Sequence, residues 1–222
     1  MTQTSTNSCI LVFARTPIPG ECKTRLIPVL GKDGATKLHT AMIQHTLVMT
    51  SRSGLGQVQL WCTPSPQHPF FIACANQHSL SLHQQTGHDL GARMAHAVEH
   101  ALQQYQWVIL IGTDCPSLDE NYLRRARDQL SSGCDAVIGP AHDGGYTLIA
   151  LRQSVPAIFQ DIEWGTESVL QQTRQRLSKF NFHWVELDKR HDIDTPDDLA
   201  PLITANDVVT LGAYQIPIKV SG

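Results

Sequence analysis

Four short segments concentrate the residue types that could do chemistry. The first, Arg15 to Arg25, places Arg15, Lys23 and Arg25 in one loop, stiffened by Pro17 and Pro19 and turned at Gly20, where the backbone can approach a ligand closely. Cations between a strand end and a helix suit a phosphate-rich ligand. The same residues read equally well as three solvated surface cations, and the loop is not a Walker loop. The second segment, "GTDCP", carries Asp114 directly after an apolar run. One carboxylate beside phosphates is a usual way to hold Mg²⁺ or Mn²⁺, and a plain turn aspartate is the competing reading. The third runs from Gly139 through Asp143, Gly144 and Gly145 to Tyr146. Its glycines open space at the backbone, and Asp143 could meet a sugar hydroxyl or an amine. Asp-Gly is also a strong hairpin signal, and both readings are compatible. The fourth is "DIDTPDDL": Asp192 and Asp194 flank one apolar residue, so in extended chain they point the same way, and either could be a metal ligand opposite Asp114. Asp197 and Asp198 read as helix-start acids.

Asp89 and Arg93, after Gly87, are weaker binding candidates whose default reading is an exposed helix pair. Trp164 to Thr166 is a loop that could line a pocket. No histidine has metal-ligand spacing, and no serine or cysteine sits in a nucleophile elbow.

Strands and helices must position these segments. Continuous or alternating apolar runs predict strands at 9–14, 57–62, 79–83, 107–112, 134–139, 146–151 and 182–187. Between them, apolar stripes at helical spacing predict helices through Ala35 to Met49, over 69–77, over 89–105, from the 117–120 capping-box spacing to 131, and over 166–180 with Thr166 as N-cap. Thr195 followed by Pro196 reads as another helix start. The tail, 208–220, is expected to add an edge strand. Strands alternating with helices imply a doubly wound, mostly parallel sheet in three α/β/α layers, with the ligand beyond the carboxyl ends of the strands. Every segment named above then falls at that edge.

The 222 residues are enough for one domain with a real core, and 41% hydrophobic content argues against disorder. A polar N-terminus, 1–8, is expected to be disordered, and 9–222 to form a single domain. Seventeen Lys and Arg against twenty Asp and Glu leave a net charge of −3, with no basic excess for nucleic acid. No apolar stretch reaches the ~18–20 residues of a membrane span, and no signal peptide is legible. The expectation is a cytoplasmic protein that binds neither nucleic acid nor membrane. Six scattered cysteines without a Cys-x-x-Cys pair read as reduced thiols.

"FARTPIPGECKTRL", "GTDCP", "GPAHDGGYTLIAL" and "DIDTPDDL", in this order, resemble the nucleotide-diphospho-sugar transferase superfamily, and within it the bacterial DUF2064 branch. That branch is often labelled a glycosyltransferase associated with radical-SAM proteins or arsenosugar biosynthesis. The resemblance covers about 9–202 and implies a GT-A, Rossmann-like fold with a nucleotide over the first strands and a divalent cation, Mg²⁺ or Mn²⁺. It places Lys23 and Arg25 on phosphates, and Arg15 with them in a position where many relatives have lysine. Asp114 matches a metal aspartate and Asp194 a second one. Asp143, Gly144 and Gly145 would face the transferred group or acceptor, with Asp143 orienting or deprotonating it. The implied activity is metal-dependent glycosyl transfer from a nucleotide sugar to a small-molecule acceptor. Asp114 stands alone without a full Asp-x-Asp, which fits guanylyl or cytidylyl transfer from a nucleoside triphosphate to a phosphorylated small molecule about as well. A non-catalytic nucleotide-binding module is the third reading. A homodimer is admitted, though nothing in the sequence sets the oligomeric state.

Overall fold

The computed structural model describes residues 7–204 and 208–217. Most of the expected N-terminal stretch, 1–6, and the ends of the expected tail strand, 218–220, lie outside them; Ser8 opens the first strand. The strands of the main sheet are β1 (Ser8–Arg15), β2 (Gln57–Thr63), β3 (Ser81–Gln84), β4 (Trp107–Ile111), β5 (Ala136–Pro140), β6 (Tyr146–Leu151) and β7 (Trp184–Glu186). The helices are α1 (Ile27–Ser53), α2 (Pro69–His78), α3 (Leu90–Leu102), α4 (Glu120–Ser131) and α5 (Val169–Lys179).

The sheet order is β3-β2-β1-β4-β6-β5-β7. β1 pairs in parallel with β2 and β4, β2 with β3, and β5 with β7; only β6 runs against its neighbours, β4 and β5. The Asp-Gly hairpin signal accounts for that reversal, since the 141–145 turn leads directly from β5 into its antiparallel partner β6. Alternation along β1 feeds two cores. Ile10, Val12 and Ala14 pack with Ile43 and Leu47 of α1, Phe71 of α2 and Leu123 of α4. Cys9, Leu11 and Phe13 pack with Met94 and Val98 of α3 and Leu170 and Leu177 of α5. Both faces of the strand are therefore dry, as its unbroken apolar run requires. The result is a mostly parallel sheet between two helical layers.

Several local details differ from the sequence reading. α4 is capped by Asp119, whose Oδ1 accepts from the Tyr122 N–H at 2.7 Å, two residues beyond the expected Ser117 cap. A carboxylate at Asp119 outcompetes the serine because it is also the better partner for the helix dipole. α5 begins after Ser168, and Thr166 instead turns back to donate to Glu163 O at 2.8 Å. α1 starts earlier than its apolar stripe suggests, broken at Gly31 with φ 72° and ψ 169°. The tail does not extend the main sheet. β8 (Ile203–Thr204), β9 (Val208–Leu211) and β10 (Tyr214–Pro217) form a separate antiparallel sheet. Val209, Leu211 and Ile216 pack on Leu38 and Met42 of α1, which offers a large apolar patch that an edge position could not have covered. Among the described residues, no helix is long and apolar enough to cross a membrane. All six cysteines are free and buried.

Candidate active site

The loop after β1 is pinned at its start: the Thr16 N–H and hydroxyl both donate to Thr63 O, at 2.8 and 3.0 Å. It ends at Lys23, which adopts a left-handed conformation (φ 47°, ψ 45°). That conformation costs about 1–2 kcal/mol for a residue with a Cβ. Three oxygens around the ammonium offset it. Lys23 Nζ donates to Ile193 O at 2.7 Å and to Asp194 Oδ1 at 2.6 Å, and lies 2.8 Å from Asp114 Oδ1. The lysine side chain is 5% exposed, whereas Asp114 and Asp194 keep 47% and 43% exposure. Burial works against the charged ammonium, but the two carboxylates outweigh it and raise the Lys23 pKa above its ordinary value. Reciprocally, burial opposes ionisation of Asp114, and Lys23 more than compensates, holding that carboxyl below its usual range.

Asp114 follows β4, and Asp194 arrives from the far side on a strap after β7. The strap is laid along the sheet edge by backbone bonds: Leu187 N to Ile138 O at 2.9 Å, Arg190 N to Pro140 O at 2.9 Å, and Ile193 N to Asp114 O at 2.8 Å. Buried Ile193 and Leu199 anchor it to α1. Thr195 caps the following turn as the sequence predicts, with Asp198 Oδ2 accepting from the Asp194 and Thr195 amides at 3.1 and 2.7 Å. Asp192, beside the pair, is pushed up to about 6 by burial and by the negative charges of Asp143 and Asp194.

These residues floor one cleft of about 650 Å³ at the carboxyl edge of the sheet. Its lining includes Arg15, Lys23, Arg25, Arg93, Asp114, Asp143, Gly145, Tyr146, Asp192 and Asp194. Gly20, Asp89 and Gly144 fall outside that lining. Gly20 turns the loop at φ 87°. Asp89 caps α3, accepting from the Ala92 N–H at 2.7 Å. Gly144, at φ 90°, lets the 165–168 loop approach: a Cβ there would run into the Glu167 carbonyl. Trp164, Gly165 and Thr166 line the cleft as the loop reading allows, and Trp164 meets Tyr146 edge-on with ring centroids 6.3 Å apart.

The sequence reading missed His39, Gln85 and Thr113, which also line the cleft. His39 sits in the apolar stripe of α1, where it reads as core. Its Nε2 meets Arg15 O at 2.9 Å, and burial lowers its pKa, so it is a neutral ring donating to that carbonyl. Gln85 lies just past β3, in a segment with no motif.

Two carboxylates converge on a single cation, and Asp192 beside them is raised first by burial and then by the charges of Asp143 and Asp194; carboxylate oxygens are the hard donors that a divalent ion takes. Among the described residues, no three His, Cys, Asp or Glu side chains are arranged to hold a metal by themselves. A cation there would be completed by phosphate oxygens and water, the usual mode for Mg²⁺. Neither Arg15 nor Arg25 has an ion-pair partner among the described residues, so both guanidinia are free for an anion.

A solved structure from Desulfovibrio desulfuricans G20, described as a candidate nucleotide-diphospho-sugar transferase, is 33% identical, with a TM-score of 0.82 over 90% of this chain and 87% of that one. A cytidylyltransferase from Leptospira borgpetersenii superposes with a TM-score of 0.60 at 16% identity, over 86% and 83% of the two chains. The manganese complex of Rv0371c from Mycobacterium tuberculosis does so at 0.51 and 16%, over 88% and 96%. The latter two likenesses concern the fold. No protein of curated function matches the chain. A family profile described as "Uncharacterized protein conserved in bacteria (DUF2064)" matches residues 46–166, which include Asp114, Asp143 and Gly145 but neither the Lys23 loop nor the Asp194 strap. With more than half its length in that profile and 33% identity to the Desulfovibrio protein over 90% of the chain, the chain belongs to the DUF2064 family and has the fold of the nucleotide-diphospho-sugar transferases.

Proposed function

We propose that the chain is a metal-dependent glycosyltransferase that takes a nucleotide-diphospho-sugar donor and a small-molecule acceptor. The observation that carries this reading is the single cleft in which free guanidinia adjoin two carboxylates gathered on one buried ammonium. Arg15 and Arg25 bind the outer diphosphate oxygens, and Asp114 and Asp194, with Asp192 beside them, are the residues that would hold Mg²⁺ or Mn²⁺. A divalent cation there supplies neutralisation of the diphosphate charge. Lys23 adds a preorganised positive charge that favours the diphosphate as it leaves. Asp143, held by the Gly145 N–H at 2.8 Å, stands at the mouth of the cleft and orients or deprotonates the acceptor hydroxyl. Gly145 and Tyr146 complete that acceptor wall. The Desulfovibrio protein's description and the manganese bound by Rv0371c support this reading.

Nucleotidyl transfer is the second reading, favoured by one observation: Asp114 is paired through Lys23 with Asp194 on a remote strap, not with a neighbouring carboxylate in its own loop. In that case an acceptor phosphate attacks the α-phosphorus of a nucleoside triphosphate, and Lys23 and Arg25 stabilise the charge that develops.

A thermal-unfolding screen of nucleotide sugars, nucleoside diphosphates and triphosphates, with and without Mn²⁺, tests both. A ligand at 100 times its Kd stabilises the native state by about 2.7 kcal/mol. Metal-dependent stabilisation by a nucleotide sugar or its diphosphate is expected. Stabilisation by triphosphates alone selects nucleotidyl transfer, and no response to any nucleotide overturns both readings.

A further inference from the structure

The two edges of the seven-stranded sheet differ in charge. β7, at one end, is guarded by ions. Glu186 lies in the strand and takes two bonds from Arg174, at 2.6 and 2.8 Å; Asp135 accepts from the His183 N–H at 2.9 Å; Asp188 and Lys189 follow. Charged side chains are a common way to keep an edge strand from pairing with another chain. β3, at the other end, has no such guard. From Ser53 to His88, through β2, α2 and β3, no Asp, Glu, Lys or Arg occurs, although these make up 17% of the chain. Burial does not explain the gap, because Gln67, Asn76, Gln77, Ser81 and Gln84 are all exposed. Pro69, Ile72 and Ala73 give α2 an exposed apolar face, with Ile72 41% exposed. Charge removed while neutral polar and apolar surface is kept is the composition found at the core of interfaces.

The geometry of β3 suits a partner strand. β3 pairs with β2 alone. The Gln85 N–H donates to Cys62 O, so by alternation His83 also faces β2, while Leu82 and Gln84 turn their backbone groups outward. Of those outward groups only the Gln84 carbonyl has a partner among the described residues, the Thr86 hydroxyl at 3.5 Å. The strand is fixed in place. Trp61 stacks on His83 with ring centroids 4.7 Å apart, and the Gln84 side-chain amide donates to Pro64 O at 2.9 Å. A preorganised edge loses little freedom on pairing. Leu82 packs against the same core as Phe71 and Cys74 of α2, so that helix flanks the edge.

We infer that a second copy of this chain docks at this edge, β3 against β3, antiparallel about a two-fold axis at His83. In that register Leu82 of each copy lies opposite Gln84 of the other, and their outward N–H and C=O groups satisfy one another. The pairing is self-complementary, as a two-fold interface requires. Two uncharged edges also meet without the repulsion that a surface rich in one sign imposes on its own copy. A strand of 4 residues buries too little to hold a dimer alone, so the Ile72 faces of the two α2 helices supply the remainder. The inference is independent of the reaction proposed above.

Sedimentation equilibrium of the full chain over a wide range of concentration tests it. A monomer–dimer equilibrium without larger species is expected, because a two-fold contact uses up the edge. Ile72→Lys puts a charge on the exposed face of α2, and Gln84→Pro removes one outward N–H. Each should weaken dimerisation by on the order of tenfold or more. Ser178→Lys, an exposed change on α5, should leave it as it is. The six native cysteines are buried, so His83→Cys, oxidised with glutathione disulfide, should give a disulfide-linked dimer through position 83. A monomer at every concentration overturns the inference, and so does growth beyond the dimer. A dimer that survives both Ile72→Lys and Gln84→Pro, or that His83→Cys does not cross-link, uses another surface and overturns it as well. Should Gln84→Pro fail to fold, Ile72→Lys and the cross-link decide.

Discussion

Lys23 shows how a single side chain is held against its own conformational and desolvation costs. Its ammonium is buried only because two carboxylates and a carbonyl surround it, so each aspartate depends on it in turn. Asp114→Ala still leaves Asp194 on the ammonium. The chain is therefore expected to fold, and to lose metal-dependent stabilisation by nucleotides; unchanged nucleotide affinity would remove Asp114 from the metal site. The same residues set the acid limit of stability. Asp114 and Asp198 are both held below the ordinary carboxyl value of 3.8: burial opposes this, but Lys23 for the first and the Thr195 hydroxyl and amide for the second prevail. Each binds its proton less tightly folded than unfolded, so its contribution is complete above 3.8 and disappears as pH falls through the depressed value. Urea unfolding of the wild-type chain should show stability falling below that pH, and Asp198→Asn should make the fall shallower. That Asp114, Asp143 and Asp194 would gather at the carboxyl edge of the sheet was legible from the segments that carry them. The ammonium between two of them was not, because Lys23 and Asp194 are far apart in sequence and meet only through the strap.

At the scale of elements, local chemistry decides where helices begin and loops pack. Asp119 supplies the α4 cap, and Asp119→Ala is expected to cost about 1 kcal/mol in chemical denaturation. Gly144 lies in the hairpin between β5 and β6, and Gly144→Ala should cost more than the ~1 kcal/mol of an unstrained backbone change. It combines a positive φ with a clash against Glu167. A variant as stable as wild type would show that the 165–168 loop gives way freely. The strands were legible almost to their ends, since β1, β4 and β6 are apolar runs buried on both faces. The starts of α4 and α5 were less so, because Ser117 and Thr166 offer hydroxyls two residues before Asp119, which caps α4, and Ser168, which makes no side-chain cap. Only the surrounding turns determine which residue adopts the cap geometry.

Across the whole molecule, the C-terminal sheet and the candidate cleft are joined through one small core. Ile193 lies between Asp192 and Asp194 and packs with Leu199, Val209 and Ile216 on α1. Ile193→Ala should cost about 2–5 kcal/mol by cavity formation. It should also weaken Mn²⁺-dependent nucleotide binding, since both flanking carboxylates lose their anchor; equilibrium unfolding and ligand titration read the two effects separately. Sequence alone determined the layered α/β architecture, the parallel core strands and the gathering of charged segments at the carboxyl edge. Those features follow from hydrophobic periodicity and from residues adjacent in the chain. Tertiary structure decided that the tail folds onto α1, that Lys23 bridges Asp114 and Asp194, and that Gln85 joins the lining of the cleft. Each of these depends on contacts between segments distant in sequence, and short-range pattern carries no information about which distant surfaces will meet.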